Sequence, residues 1–443
     1  MTRTKKNPAP VIDPYLPTSG NFGYRASRYD LELTYKVASN RLAGTATITA
    51  VTLASLRTFT LDLSPALSVS KVTVNGNRPQ FRTASGKLHI TLRDALPAGA
   101  AMTIVVRYGG NPRPIRSQWG DVGFEELTEG ALVAGQPNGA QSWFPCDDHP
   151  AAKASFRIQI AAESPYRVIA NGELVSHRAR AGMTTWVYDL PEPTSTYLVT
   201  LQIGMYGRHR MAKNGVEIHA VLPDRLRDTF DYDFARQPQM MKLFVKLFGD
   251  YPLAEGYTVV VTDDELEIPL EAQGISIFGA NHCDGERGAE RLIAHELAHQ
   301  WFGNSVTAQR WRHIWLHEGF ACYAEWLWSE NSGGRSADAW AQHYHRRLAQ
   351  SPQDLVLADP GPRDMFDDRV YKRGALTLHV LRRHIGDDNF FTLLREWTRR
   401  YRHSTVVTDD FTGLASHYAD DSLRPLWTAW LYSTALPDLD ASP

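Results

Sequence analysis

Cysteine is scarce in this chain: Cys146, Cys283 and Cys322 are the only three in 443 residues. An odd, sparse set excludes a disulfide framework and implies a reducing, cytoplasmic setting. Long apolar runs are missing as well, and nothing approaches the roughly eighteen residues that a helical membrane span needs. Neither charge sign dominates, with 47 Lys and Arg against 49 Asp and Glu and a formal net charge of −2. That balance, with no basic run, excludes general attraction to nucleic acid or to an anionic membrane. The opening Met1-Thr2-Arg3-Thr4-Lys5-Lys6-Asn7-Pro8 is basic but has no apolar stretch behind it, so it does not read as a secretory leader. Internal repeats and low-complexity segments are lacking too. What remains is ordinary globular composition, 43% hydrophobic and 22% charged, with length enough for two or three domains.

The first 22 residues are Pro- and polar-rich and predict a loosely held arm. From Tyr29 the pattern becomes strict alternation: Tyr29, Leu31, Leu33, Tyr35 and Val37 against Asp30, Glu32, Thr34 and Lys36. That is a half-buried strand. Similar short runs recur at 45–51, 59–63, 69–74, 88–92, 102–108, 156–160, 186–190 and 197–203, with turn signals such as Asn75-Gly76 and Asn171-Gly172. Strands at this spacing predict an antiparallel β domain over residues 23–205. Strand patterns continue at 216–222, 257–262 and 275–278, but helical periodicity now separates them, at 230–248, 290–302, 318–329, 337–350, 371–385 and 390–401. Residues 206–443 therefore read as an α+β domain, mostly helical in its second half.

The chemistry concentrates in His295-Glu296-Leu297-Ala298-His299 and, further on, Glu318. Histidines at i and i+4 leave one face of a helix about a turn apart, so both imidazoles reach a single ion. An acidic ligand from a following helix completes a His2Glu set and leaves one coordination position open, as a catalytic zinc site requires. In a chain with 16 histidines, chance alone produces the motif about 3% of the time. Here Ala294, Leu297 and Ala298 supply a packing face and Gly303-Asn304 a stop signal, which separates the segment from a solvated surface helix. His295, His299 and Glu318 are thus candidate ligands for one Zn2+ per chain. Such an ion lowers the pKa of its water toward 7. Glu296, about 100° round the helix from His295, is placed to take the proton from that water and return it to a leaving amine. Glu325, seven residues after Glu318 on the same helix face, is either an acceptor behind a ligand histidine or an ordinary surface glutamate.

These residues resemble peptidase family M1, the gluzincins that include aminopeptidase N and leukotriene A4 hydrolase. The likeness lies in His-Glu-Leu-Ala-His-Gln-Trp-Phe-Gly-Asn at 295–304 and Trp-Leu-His-Glu-Gly-Phe-Ala at 315–321. It extends to Trp143-Phe144-Pro145-Cys146-Asp147-Asp148-His149-Pro150, to Lys153-Ala154-Ser155-Phe156, and to Val370-Tyr371-Lys372-Arg373-Gly374-Ala375. The resemblance implies an all-β N-terminal domain, a thermolysin-like zinc catalytic domain, and a peptide substrate with a free N-terminus. It gives Tyr371 the role of oxyanion donor. It gives Glu271 the grip on the substrate α-amino group and Gln136 a second amine-binding position.

Several positions depart from the family pattern. The Ile268-Pro269-Leu270-Glu271-Ala272 segment keeps only the glutamate of the usual Gly-x-Met-x-Asn, a neutral amide stands at Gln136, and His313 occupies a position where aspartate is usual. The chain ends at Pro443, about seventy residues after Tyr371, where many members continue into a helical domain; this predicts an open cleft and tolerance of longer peptides. The leading expectation is a zinc aminopeptidase. Its alternatives are an endopeptidase or epoxide hydrolase on the same scaffold, or a non-catalytic peptide-binding protein.

Overall fold

The structure, a computed structural model, describes residues 12–212 and 214–439. Packing divides the chain into two compact units. The first comprises residues up to His209, with His219–Arg225 and Glu255–Asn281; the second comprises Arg210–Ile218, Leu226–Ala254 and residues from His282 onward.

Alternation builds the first unit. The predicted strand at 29–37 is observed as Tyr24–Lys36, and its inward residues Tyr29, Leu31, Leu33 and Tyr35 are all buried. It lies inside a seven-stranded sheet, in the order Glu173–Arg180, Met183–Ser195, Lys153–Glu163, Tyr24–Lys36, Arg41–Thr52, Ala101–Gly110 and Leu67–Val74. Every pairing in that sheet is antiparallel except one: Tyr24–Lys36 runs parallel to Lys153–Glu163, which returns to its far side after a long excursion. Tyr29 stacks on Phe156 at 5.0 Å and meets Phe144 edge-on at 5.7 Å, so the Trp143–Pro150 motif (143–150) serves the core. A five-stranded and a three-stranded sheet complete the β structure up to Gly204.

Two expectations change in this unit. Residues 12–22 of the predicted arm are pinned rather than loose. The Gly20 N–H donates to Asp62 at 3.0 Å, the Asn21 N–H donates to Asp147 at 2.8 Å, and Asp13, Tyr15 and Asn21 are buried. Buried carboxylates at 62 and 147 need donors, and this segment supplies them; residues 1–11 lie outside the described residues. In addition, strand pairing continues past residue 205. The sheet Gly207–Ala212, Ile218–Leu222, Tyr257–Val261, Ile275–Phe278 and Leu270–Ala272 packs Val221, Val260, Ala272, Ile275 and Ile277 against Ile169 and Tyr206, so most of it belongs to the first unit.

Helices build the second unit: α1 Arg227–Asp233, α2 Gln237–Phe248, α3 Glu290–Ala298, α4 Trp315–Asn331, α5 Ala337–Leu348, α6 Asp368–Ile385, α7 Asp387–Arg400, α8 Thr408–Ala415 and α9 Arg424–Leu431. The single helix predicted at 230–248 is two helices. Pro238 sits in the first turn of α2, where its missing N–H costs nothing, whereas in one continuous helix it could not donate back to Phe234. The short helices α8 and α9 were below the length at which periodicity registers. α4 is buried on all sides from Trp315 to Trp328 and packs on α3, α5 and α6, its apolar residues forming core while His317, Glu318 and Glu325 are buried polar exceptions. No helix among the described residues is long and apolar enough to cross a membrane.

Candidate metal centre and active site

All three predicted metal ligands lie in the second unit. α3 ends at Ala298, leaving His295 on its last turn and His299 at its cap, while Glu318 sits in the first turn of α4. Glu318 Oε2 is 3.4 Å from Nε2 of His295 and 3.4 Å from Nε2 of His299. The opposite ring nitrogens are occupied: His295 Nδ1 meets Glu325 Oε1 at 2.7 Å, and His299 Nδ1 meets the Phe302 carbonyl at 3.0 Å. Both acceptors lack protons, so each Nδ1 donates and each Nε2 turns a lone pair inward. Two lone pairs and a carboxylate oxygen converging at this distance repel unless a cation lies among them. Tetrahedral zinc with bonds of about 2.0–2.1 Å separates its ligand atoms by about 3.3–3.4 Å, so the residues fit that ion.

The electrostatics agree. Burial alone would raise the Glu318 carboxyl, but positive charge at this point, carried by His299 and His295 when protonated and by a metal when they are neutral, holds it far below the usual carboxylate range. Burial also raises Glu325, yet Lys372, His295 and Arg291 outweigh it and bring the carboxyl down to about 2. Glu325 is therefore the acceptor behind His295 and not a surface glutamate; only 2% of its side chain is exposed.

Glycines explain why the motif residues recur around the site. A Cβ on Gly374 would lie 2.6 Å from the Gly319 Cα, so α4 and α6 touch backbone to backbone beside Glu318 and one turn from Tyr371. Gly303 has φ +113°, and a Cβ there would press on His299 Nδ1 at 3.1 Å. Glu296 is buried on α3 between the two histidines. Tyr371, in the first turn of α6, places its ring 6.0 Å from that of His295, nearly parallel at 21°.

Gln136 and Glu271 lie in the first unit, and the structure brings them together. Gln136 Nε2 donates to Glu271 Oε1 at 2.6 Å. Glu271 is carried by the edge strand Leu270–Ala272, paired only with Ile275–Phe278. His313 also finds a role. Its Nδ1 lies 3.0 Å from Thr408 Oγ1, which also accepts the Trp315 indole N–H at 3.0 Å, tying the approach to α4 onto α8. Sequence reasoning missed Arg291, which donates Nη1–H to both oxygens of Glu325 at 3.1 Å. It stands one turn before His295, but its partner is 34 residues away and nothing local announces it.

Residues 25–198 match the peptidase M1 N-terminal domain and residues 232–430 the peptidase family M1 domain. The chain belongs to peptidase family M1. Among curated M1 relatives, human endoplasmic reticulum aminopeptidase 1 is 28% identical over 75% of this chain and 38% of its own length. Aminopeptidase N of Lactococcus lactis is 25% identical over 68% of this chain and 38% of its own length. The chain thus spans about two fifths of the length of the curated relatives it matches. A solved M1 zinc metallopeptidase mutant from Deinococcus radiodurans, bound to a Tyr-Ser-Ala substrate, superposes with a TM-score of 0.89 at 28% identity. That match covers 98% of this chain and 99% of the other. Yeast leukotriene A4 hydrolase shares the fold, with a TM-score of 0.78 at 20% identity, over 94% of this chain and 69% of its own.

Proposed function

We propose that this M1 chain is a zinc-dependent aminopeptidase that removes N-terminal residues from peptides. The convergence of His295, His299 and Glu318 at 3.4 Å carries the reading. Bound zinc supplies Lewis acidity and a water acidic enough to deprotonate near neutrality. His295 and His299, through Nε2, and Glu318 would hold it, with the histidine tautomers set by Glu325 and the Phe302 carbonyl. Glu296, on the turn between the two histidines, takes the proton from the attacking water and passes it to the departing amine. Tyr371 donates its hydroxyl to the oxyanion of the tetrahedral intermediate. Glu271 receives the substrate ammonium in a charge-assisted hydrogen bond, and Gln136, neutral, orients that carboxylate without adding charge. The Tyr-Ser-Ala substrate in the Deinococcus relative supports a peptide ligand. Three buried free thiols, Cys146, Cys283 and Cys322, support a reducing, cytoplasmic setting.

The test is a panel of aminoacyl fluorogenic substrates and their N-acetylated counterparts, assayed before and after chelation. Chelation and Glu296→Ala are each expected to abolish turnover. Glu271→Ala is expected to lose activity mainly on substrates with an unblocked amine. Undiminished turnover of the acetylated substrates would turn the reading toward an endopeptidase, and chelator-insensitive turnover would refute the metal mechanism.

A further inference from the structure

The charge arrangement behind His295 has a feature that holding a metal does not require. Glu325 Oε1 is shared: it accepts from His295 Nδ1 at 2.7 Å and from Arg291 Nη1 at 3.1 Å, and the same Nη1 also lies 3.1 Å from Oε2. A carboxylate that hydrogen-bonds a ligand histidine raises the donor strength of that histidine toward its metal. A guanidinium on the same oxygen draws its charge the other way. We infer that Arg291 is a positioning residue that moderates the pull of Glu325 on His295, keeping the metal less tightly held and more Lewis-acidic than the bare histidine–carboxylate pair would. The inference rests on the metal-site reading above.

The sharing itself gives the effect its sign: without Arg291, the Oε1 that now accepts from both Arg291 Nη1 and His295 Nδ1 is left to His295 alone. The outer side of the pair is open. Arg291 and Glu325 line a cavity of about 550 Å³ together with Arg236, Trp328, Trp340 and Tyr344, and half of the Arg291 side chain is exposed. Glu325 itself is only 2% exposed, so in a variant at 291 its Oε1 keeps His295 Nδ1 and its Oε2 is to be met by water entering from that cavity in place of the guanidinium. The same exposure screens the guanidinium and limits the effect to a modest one.

The experiment measures zinc affinity of the purified holoprotein by competition with a chromogenic chelator, independent of turnover. Arg291→Met is expected to bind zinc about 3- to 10-fold more tightly than the parent, with Arg291→Lys returning to the parental value. Glu325→Gln should move the opposite way, about 10- to 100-fold weaker. With cobalt in place of zinc, the visible absorption of Arg291→Met should shift and that of Arg291→Lys should not. Parental or weaker zinc affinity in Arg291→Met would overturn the inference, as would Arg291→Lys behaving like Arg291→Met. A parent chain that takes up no zinc would instead refute the metal-site reading itself, which the same titration reveals first.

Discussion

At the scale of single residues, the site works through side chains whose partners leave them one option. The Tyr371 ring lies 6.0 Å from that of His295, and the oxyanion role proposed for its hydroxyl would be worth about 10²-fold or more in rate. Tyr371→Phe is therefore expected to lower kcat about 100-fold with little change in KM, as steady-state kinetics on one aminoacyl substrate will read. His313 gives a prediction about pH. Burial, then the neighbouring Arg312 and Arg310, depress its pKa to about 4, and the Thr408 hydroxyl, already accepting from Trp315, donates to the neutral ring. A base whose folded pKa is depressed contributes stability above its unfolded pKa of about 6.5 and loses it as pH falls through about 4. Urea unfolding between pH 7 and 4 should show a decline of about 1–3 kcal/mol from this group. Most of that slope should vanish in His313→Asn, which keeps an acceptor for Thr408 but cannot titrate.

At the scale of elements, the contact between α4 and α6 places Glu318 and Tyr371 relative to each other. That contact is possible because Gly319 and Gly374 have no Cβ. Gly374→Ala must push the two helices apart. It is expected to cost about 1–3 kcal/mol in stability, an overpacking penalty, and also to lower kcat although no catalytic side chain is altered. Loss of stability with full activity would show that the helix contact does not position Tyr371. The same scale shows what periodicity can and cannot detect. α4 and α6 were legible because apolar residues recur at helical spacing over many turns. The break before α2 was not, because Pro238 fits a first helical turn as well as it fits a disruption. The pinned segment at 12–22 was read as loose because polar composition says nothing of buried carboxylates at Asp62 and Asp147 waiting for its N–H groups.

At the scale of the whole molecule, the two units divide the work unevenly. All three proposed metal ligands belong to the second unit, so on that reading only that unit gains folding stability from the ion. Zinc at 1,000 times its dissociation constant would add about 4 kcal/mol. Chelation is thus expected to accelerate amide exchange in α3 and α4 while leaving Tyr24–Lys36 and Lys153–Glu163 unchanged, in hydrogen-exchange measurements on the intact chain. Equal acceleration in both units would mean that they unfold as one.

His295, Glu296 and His299 were readable from the sequence because one helical turn is a local geometry, set by backbone periodicity wherever the helix forms. The strands of the first unit were readable for the same kind of reason, since alternation reports a two-residue period directly. The pairing of Gln136 with Glu271, the sharing of Glu325 by His295 and Arg291, and the meeting of Gly319 with Gly374 were decided only by the tertiary structure. Each joins residues that are 30 or more positions apart, where no repeat of the chain links one to the other and only the packing of separate elements brings them within a hydrogen bond or a van der Waals contact.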